Sequence, residues 1–382
     1  MAGMAKFARR EFGIGEKLWH FSWGLLLLLA LIAAIGIALL YSAADGSIAP
    51  WAQRQAARFA IGVLVLAAVA LVDPRFWFRW AYVGYFGALA LLVLVELMGE
   101  IGMGAQRWID VGVIQLQPSE VMKVAVVVAL ARYFHGVTPE TAGNPFVLAP
   151  PLLLVLMPVA LVAKQPDLGT AVVVLGAGGV IFFLAGVRLW LFGVVIGAGL
   201  AAVPLVWSLL HDYQRRRVLT FLDPETDPLG AGYHTLQAKI ALGSGGLTGK
   251  GFLAGTQSHL NFIPEKQTDF IFTILAEEFG LIGSMTLLGL YLLVIAYGTA
   301  IALRSRNQFG RLLGLGLVTT FALYVFVNVG MVMGLLPVVG VPLPLISYGG
   351  TSMLTILLSF GLVIGVSINR DLMLNKQGEA VG

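Results

Sequence analysis

Cysteine is absent from the chain, which excludes disulfides and thiolate metal sites. Charge is scarce too. Asp, Glu, Lys and Arg together make up 12% of the 382 residues, and no basic cluster of the kind that binds nucleic acid stands on a polar face. No inverted repeat of the transporter type is visible along the sequence. What remains is apolar: 58% of residues are hydrophobic and the mean hydropathy is +0.89. A water-soluble domain could not expose such a surface, so the composition specifies a polytopic membrane protein.

A helix needs about 20 largely apolar residues to cross a bilayer. By that measure the fold class is all-α, with about ten spans at 19–40, 54–72, 78–98, 118–134, 146–163, 168–186, 188–210, 270–298, 312–335 and 348–368. The first apolar segment has no small-residue cleavage site after it and reads as a span, not as a removable signal. Residues 1–382 read as one membrane domain.

Orientation follows from Lys and Arg in the short loops. Lys6, Arg9, Arg10, Lys17, Arg75, Arg79, Arg132, Arg188, Arg304, Arg306, Arg311, Arg370 and Lys376 fall on one side, against Arg54, Arg58, Arg107 and Lys164 on the other. Both termini are therefore expected in the cytoplasm. The long segment 211–268, between spans seven and eight, is expected outside. It holds too many large apolar residues for a disordered linker, and its prolines and glycines demand defined turns. A folded cap with a short amphipathic helix near 233–242 is the expectation.

Several positions could carry chemistry. Asp269 stands where the polar run NFIPEKQTD meets the apolar run FIFTILA. It can be read as a helix cap, with Thr268 or Asp269 accepting from free amides, or as a reactive carboxylate at a membrane mouth. Glu120 and Lys123, three residues apart near the start of the fourth span, share one helix face and suggest an interior cavity. Arg107, beside Gln106 and Trp108, suits a phosphate or an interfacial anchor. Asp167, in the hairpin with Lys164 and Gln165, is placed as an N-cap. Arg215, Arg216 and Arg217 form the densest cationic run and could hold an anionic head group. Glu277 and Glu278 lie well inside the eighth span and need partners there, with Asn328 or water as candidates.

The run GSGGLTGKGFLAG at 243–255 invites comparison with a P-loop and fails it. Ser244 stands where the first glycine is required, and Gly251 where Ser or Thr should bind magnesium. A turn set is the leading reading; presenting amides and Lys250 to a phosphate is the other.

In order and spacing, the motifs GAQRWI, QPSEVMK, KQPDLGTA, FLDPETDPLGAGYH, IALGSGGLTGKG, GTQSHLNFIPEKQTDFIF and PLPLISYGGTS resemble the SEDS family of cell-wall glycosyltransferases across most of the chain. The wording of the long loop is closer to the family's elongation branch than to its division branch. The resemblance implies polymerisation of lipid II into glycan strands on the outer face of the bacterial cytoplasmic membrane, with inversion and release of undecaprenyl pyrophosphate. It implies Asp269 as general base, and Glu120 and Lys123 in a lipid-binding groove. Positive charge for the leaving diphosphate would come from Lys123, Arg107, Arg215, Arg216, Arg217, Lys250 or Lys266, or from a divalent cation (Mg2+ or Mn2+) that Asp269 could help to hold, with Lys164 also among the substrate-binding residues. No organic cofactor is implied. The implied partners are the lipid II substrate and growing glycan strand, a class B penicillin-binding protein and other elongation-complex membrane proteins. A lipid II flippase and a non-catalytic scaffold are the rival readings; a flippase would need charges at mid-membrane, where Glu96, Glu277 and Glu278 are the main candidates.

Overall fold

The computed structural model describes residues 13–98, 100–102, 105–110, 115–138, 140–209, 215, 219–221, 223, 231–256 and 265–380. Arg216 and Arg217, most of FLDPETDPLGAGYH and the stretch 257–264 lie outside these residues.

Each of the ten expected stretches is helical. A short α1 (Ile14–Trp19) is followed by α2 (Trp23–Ala43), α3 (Trp51–Leu71), α4 (Pro74–Met98), α5 (Pro118–His135), α6 (Pro145–Lys164), α7 (Leu168–Leu184) and α8 (Leu189–Leu209). Then come α9 (Ala231–Ser244), α10 (Ile271–Leu303), α11 (Gln308–Val332) and α12 (Gly350–Ile368). Seven of these, α2, α3, α4, α6, α10, α11 and α12, are long and apolar enough to cross a membrane, while α7 and α8 carry shorter apolar runs. The 18-residue α5 carries Glu120, Lys123 and Arg132, which lowers its apolar character.

α11 and α12 form the centre. In each, 72% of the apolar window is buried, against 22–39% in the other long apolar helices. α12 packs against α3, and α11 against α5, α7 and α10. Lipid tails are as apolar as leucine, so close approach of backbones must hold such helices together. A Cβ on Gly361 would stand 2.7 Å from the Leu66 carbonyl oxygen, so α12 meets α3 backbone to side-chain-free backbone.

Residues 100–102, 105–110 and 115–116 form a three-stranded antiparallel sheet that composition does not announce. β1 (Glu100–Gly102), β2 (Ala105–Asp110) and β3 (Gln115–Leu116) lie in that order and carry Arg107 on the middle strand.

α9 occupies the position expected of the loop helix, but with an unexpected face. Ala238 and Ala241 are buried, whereas the larger Leu236 and Ile240 are exposed. α9 packs against α10, and small side chains allow that contact.

α10 is broken at Gly280, whose φ of 63° and ψ of −156° belong to a region open essentially to glycine alone. The break removes two helical hydrogen bonds, from Leu281 N to Glu277 O and from Ile282 N to Glu278 O. The glycine-rich loop replaces all four groups. Lys250 N donates to Glu277 O (3.0 Å) and Gly251 N to Glu278 O (2.9 Å), while Leu281 N donates to Gly246 O (2.9 Å) and Ile282 N to Leu247 O (3.1 Å). These four backbone groups are thereby met, as burial requires. The glycines thus serve close packing: a Cβ on Gly245 would fall 1.9 Å from Ala276 O and one on Gly249 2.1 Å from Glu278 O.

A side chain at position 280 would meet Gly249 N at 2.5 Å as well as the unfavourable backbone region. Gly280→Ala is therefore expected to cost at least about 1–3 kcal/mol, read as a lower apparent Tm in detergent. Gly289→Ala, where a Cβ meets nothing within 4 Å, should leave Tm unchanged or raise it, because alanine is the better helix former.

Candidate active site

Hydrogen bonds gather the starts of α5, α7, α10 and α12 and the end of α11 at one end of the bundle. Gln117, the N-cap of α5, donates through its backbone N to Thr351 Oγ1 (3.3 Å) and through Nε2 to Asp167 Oδ2 (3.3 Å). Asp167 also accepts from Thr170 N at 3.2 Å, the N-cap expected of it. Gly169, in the first turn of α7, lies against Val339 and Val341, and these flank Gly340 beside Asp269.

Asp269 is half-buried. The cap reading of this junction is corrected: α10 starts at Ile271 with Phe270 at its N-cap, a side chain that cannot accept. Thr268 Oγ1 turns back to donate to the Glu265 carboxylate at 2.9 Å. The segment is instead pinned from outside. Asn328 Nδ2 donates to Asp269 O (3.0 Å), Ser347 Oγ to Thr268 O (2.6 Å) and Tyr348 N to Gln267 O (2.8 Å). Gly340 has a φ of 71°, and a Cβ there would sit 3.4 Å from Asp269 Oδ2, so the carboxylate lies against side-chain-free backbone.

Glu120 and Lys123 make a buried ion pair at 2.6 Å, with side chains only 4% and 3% exposed. Tyr324 Oη donates to the Glu120 carboxylate (3.1 Å) and Thr355 Oγ1 does so at 3.2 Å, while the Lys123 ammonium lies 4.2 Å from the centre of the Tyr324 ring. A small cavity, about 20 Å3, opens beside the pair between α5, α11 and α12, bounded also by Phe321, Ser359 and Phe360. Space of that size holds about one water. Tyr324 and Thr355 carry no sequence motif, and the other hydroxyls along the same two helices, such as Thr320 and Ser359, give no local signal that singles them out.

α11 relates the two groups. Tyr324 and Asn328 are four residues apart, so they share a face about 6 Å apart along the axis. Through them the helix touches Glu120 and the Asp269 backbone within one turn.

The remaining cations have protein partners. Lys164, 71% exposed, pairs with Glu96. Arg107 donates to the carbonyls of Gln165 (3.1 Å) and Pro166. Arg215 donates to those of Trp207 (3.0 Å) and Ser208 (2.7 Å) at the end of α8, a place where helices favour a cation. Lys266 is buried three residues before Asp269. Lys250 pairs at 2.7 Å with Glu277, whose side chain is fully buried, and Thr256 Oγ1 donates to the same carboxylate at 3.2 Å. This corrects the expectation for the acidic pair: Asn328 serves Asp269, while Lys250 and Thr256 meet Glu277 and Ser42 Oγ donates to Glu278.

The family model of FtsW/RodA/SpoVE cell cycle proteins matches residues 16–372. The chain belongs to that family. Its motifs and its fold agree with members of it. The peptidoglycan glycosyltransferase MrdB of Escherichia coli K12 is 46% identical over 351 residues, 91% of this chain and 94% of that one. The crystal structure of the rod shape determining protein RodA of Thermus thermophilus superposes with a TM-score of 0.69 at 33% identity, covering 92% of this chain and 97% of that one. A structure described as coordinating polymerization and crosslinking in a peptidoglycan synthase complex superposes with a TM-score of 0.79 at 36% identity, covering 92% of this chain and 98% of that one.

Within this FtsW/RodA/SpoVE member the Glu120–Lys123 pair sets a clear expectation. Removing one partner of a buried pair strands the other charge and costs about 3–5 kcal/mol. Lys123→Ala should therefore lower the apparent Tm sharply, and the double variant Glu120→Gln/Lys123→Ala should recover much of it. Equal Tm for both variants would show that Glu120 is not stranded.

Proposed function

We propose that this chain is a peptidoglycan glycosyltransferase that polymerises lipid II in the cytoplasmic membrane of a bacterium. The observation that carries the reading is a carboxylate, Asp269, at the same end of a membrane bundle as a buried Glu120–Lys123 pair and tied to it through one turn of α11. The names of the relatives supply the substrate class. The basic loops favour a chain of ten spans with both termini in the cytoplasm, so that the Asp269 end and the 211–268 loop face outward.

In this reading the acceptor sugar's 4-hydroxyl gives its proton to the Asp269 carboxylate as its oxygen bonds to the donor's anomeric carbon. The bond from that carbon to the diphosphate breaks, the configuration inverts, and undecaprenyl pyrophosphate leaves with the electron pair. A sugar hydroxyl is a weak nucleophile, and a positioned base contributes typically about 10²–10⁴-fold. Lys123 and Lys266 are the cations assigned to the diphosphate, since positive charge at the leaving group stabilises the transition state. Lys123 can serve only by sharing its ammonium with Glu120. Arg107, Arg215, Lys164 and Lys250 are instead assigned to holding the loops around the site.

A divalent cation, Mg2+ or Mn2+, would add countercharge at the diphosphate. Among the described residues no group of three or more His, Asp or Glu side chains could hold a metal ion. The described residues do not build a resident site.

The complex structure of the relative that joins polymerization to crosslinking supports a partner of the same kind. A class B penicillin-binding protein, whose transpeptidase links the strand as it forms, is that partner, alongside other membrane proteins of the elongation machinery.

The test supplies purified protein and its penicillin-binding partner with lipid II. Asp269→Ala should lose polymerisation by about 10²-fold or more while keeping the parent's apparent Tm. Polymerisation at the parent's rate would overturn the base assignment. Movement of lipid II between leaflets without polymerisation, in parent and variant alike, would establish a flippase instead.

A further inference from the structure

The carboxylate that takes the proton is not fixed by its own helix, which begins beyond it. Asn328, fully buried on α11, holds it instead. Its Nδ2 donates to Asp269 O at 3.0 Å and to Val341 O at 2.7 Å. Those two acceptors fix the amide's orientation, because turning it over would set Oδ1 against two carbonyl oxygens. In that orientation Oδ1 is buried and meets no hydrogen-bond donor. A buried polar atom in this state costs about 1–3 kcal/mol, so packing alone does not explain an asparagine here.

The two acceptors are also the two sides of one feature. Asp269 O belongs to the backbone that carries the carboxylate. Val341 O belongs to the backbone against which the carboxylate lies, since Gly340, with a φ of 71°, presents no side chain to Asp269 Oδ2. One nitrogen therefore bridges the backbone that carries the group and the backbone of its wall. Four residues earlier, Tyr324 holds Glu120 from the same helix.

Resting on the reading of Asp269 as base, the geometry points to Asn328 as a positioning residue of the transferase: it fixes the Asp269 carboxylate against the 340–341 backbone without touching substrate. A base acts only within about 2.6–3.2 Å of the proton's oxygen. A displacement of about 1 Å can cost about 10²-fold in rate. A residue that sets placement should therefore govern kcat and leave substrate binding alone.

The experiment measures kcat and KM for lipid II with the intact protein and its penicillin-binding partner. Asn328→Leu keeps the side chain's heavy-atom count and branching and removes both donors together with the unmet oxygen. It should lower kcat about 10- to 100-fold while KM stays within about twofold and the apparent Tm stays close to the parent's. Asn328→Ala serves if the leucine variant does not fold, with the same expectation for kcat and KM. Asn307→Ala is the control. It removes the N-cap at the other end of α11, where Oδ1 accepts from Gly310 N at 2.5 Å, and should lower Tm with kcat unchanged.

An unchanged kcat, a raised KM at constant kcat, or a kcat loss that follows Tm would overturn the proposal. So would failure of both Asn328 variants to fold, which would make the residue a structural one. Asp269→Ala in the same series separates the two claims. If it is active, the base reading fails; if it is inactive beside a normal Asn328→Leu, only the positioning role fails.

Discussion

A charge inside this bundle persists only beside a group that meets it, most often its opposite, and that constraint organises the molecule. Glu120 and Lys123 are both almost fully buried, and the hydroxyls of Tyr324 and Thr355 lie within hydrogen-bond distance of the same carboxylate. α5, α11 and α12 are thereby fixed around one point. Glu277 demands a cation at the end of α9's loop and receives Lys250. Glu96 on α4 and Lys164 at the end of α6 form a third pair nearer the surface. Desolvation makes a lone partner of such a pair costly, so each pair constrains the elements that carry it. The glutamates at 96, 277 and 278 do not trace a path through the bundle, because each is committed to a local partner.

The same logic extends to the backbone. At 33 residues α10 is about 50 Å long if unbroken, well beyond a hydrocarbon core of about 30 Å. Its break at Gly280 leaves a first part, with Glu277 and Glu278, that is buried in protein, and a second part with Leu281, Ile282, Met285 and Leu292 exposed. Irregular backbone at such depth persists only where protein meets its polar groups. The 246–251 loop does so one bond for one bond. The loop is thus part of the α10 structure, and the Asp269 end of that helix is tied to it.

Much of this was legible in the sequence, and the failures share a cause. Apolar run length located the long helices among the described residues, and Asp167 could be read as a cap because the amide that donates to it is three residues away. Asp269 resembles Asp167 locally, yet its segment is held by Asn328 and Ser347, 59 and 79 residues distant from the carbonyls they meet. Lys250 and Glu277 are 27 apart. Their glycine-rich surroundings signal turns, whereas the true requirement is close approach to a broken helix. The small sheet at 100–116 was hidden because strands of two to six residues carry little alternation. Tyr324 and Thr355 were missed because one hydroxyl among several in a largely apolar helix looks like core.

The central claim is that Asp269, set by α11 one turn from the Glu120–Lys123 pair, faces the reacting sugars. The most direct measurement is the structure of the protein bound to lipid II and an acceptor analogue that cannot react. The acceptor's 4-hydroxyl oxygen is expected within about 2.6–3.2 Å of the Asp269 carboxylate, with the diphosphate toward α5. An acceptor hydroxyl bound away from Asp269, with another side chain in reach of its proton, would contradict it.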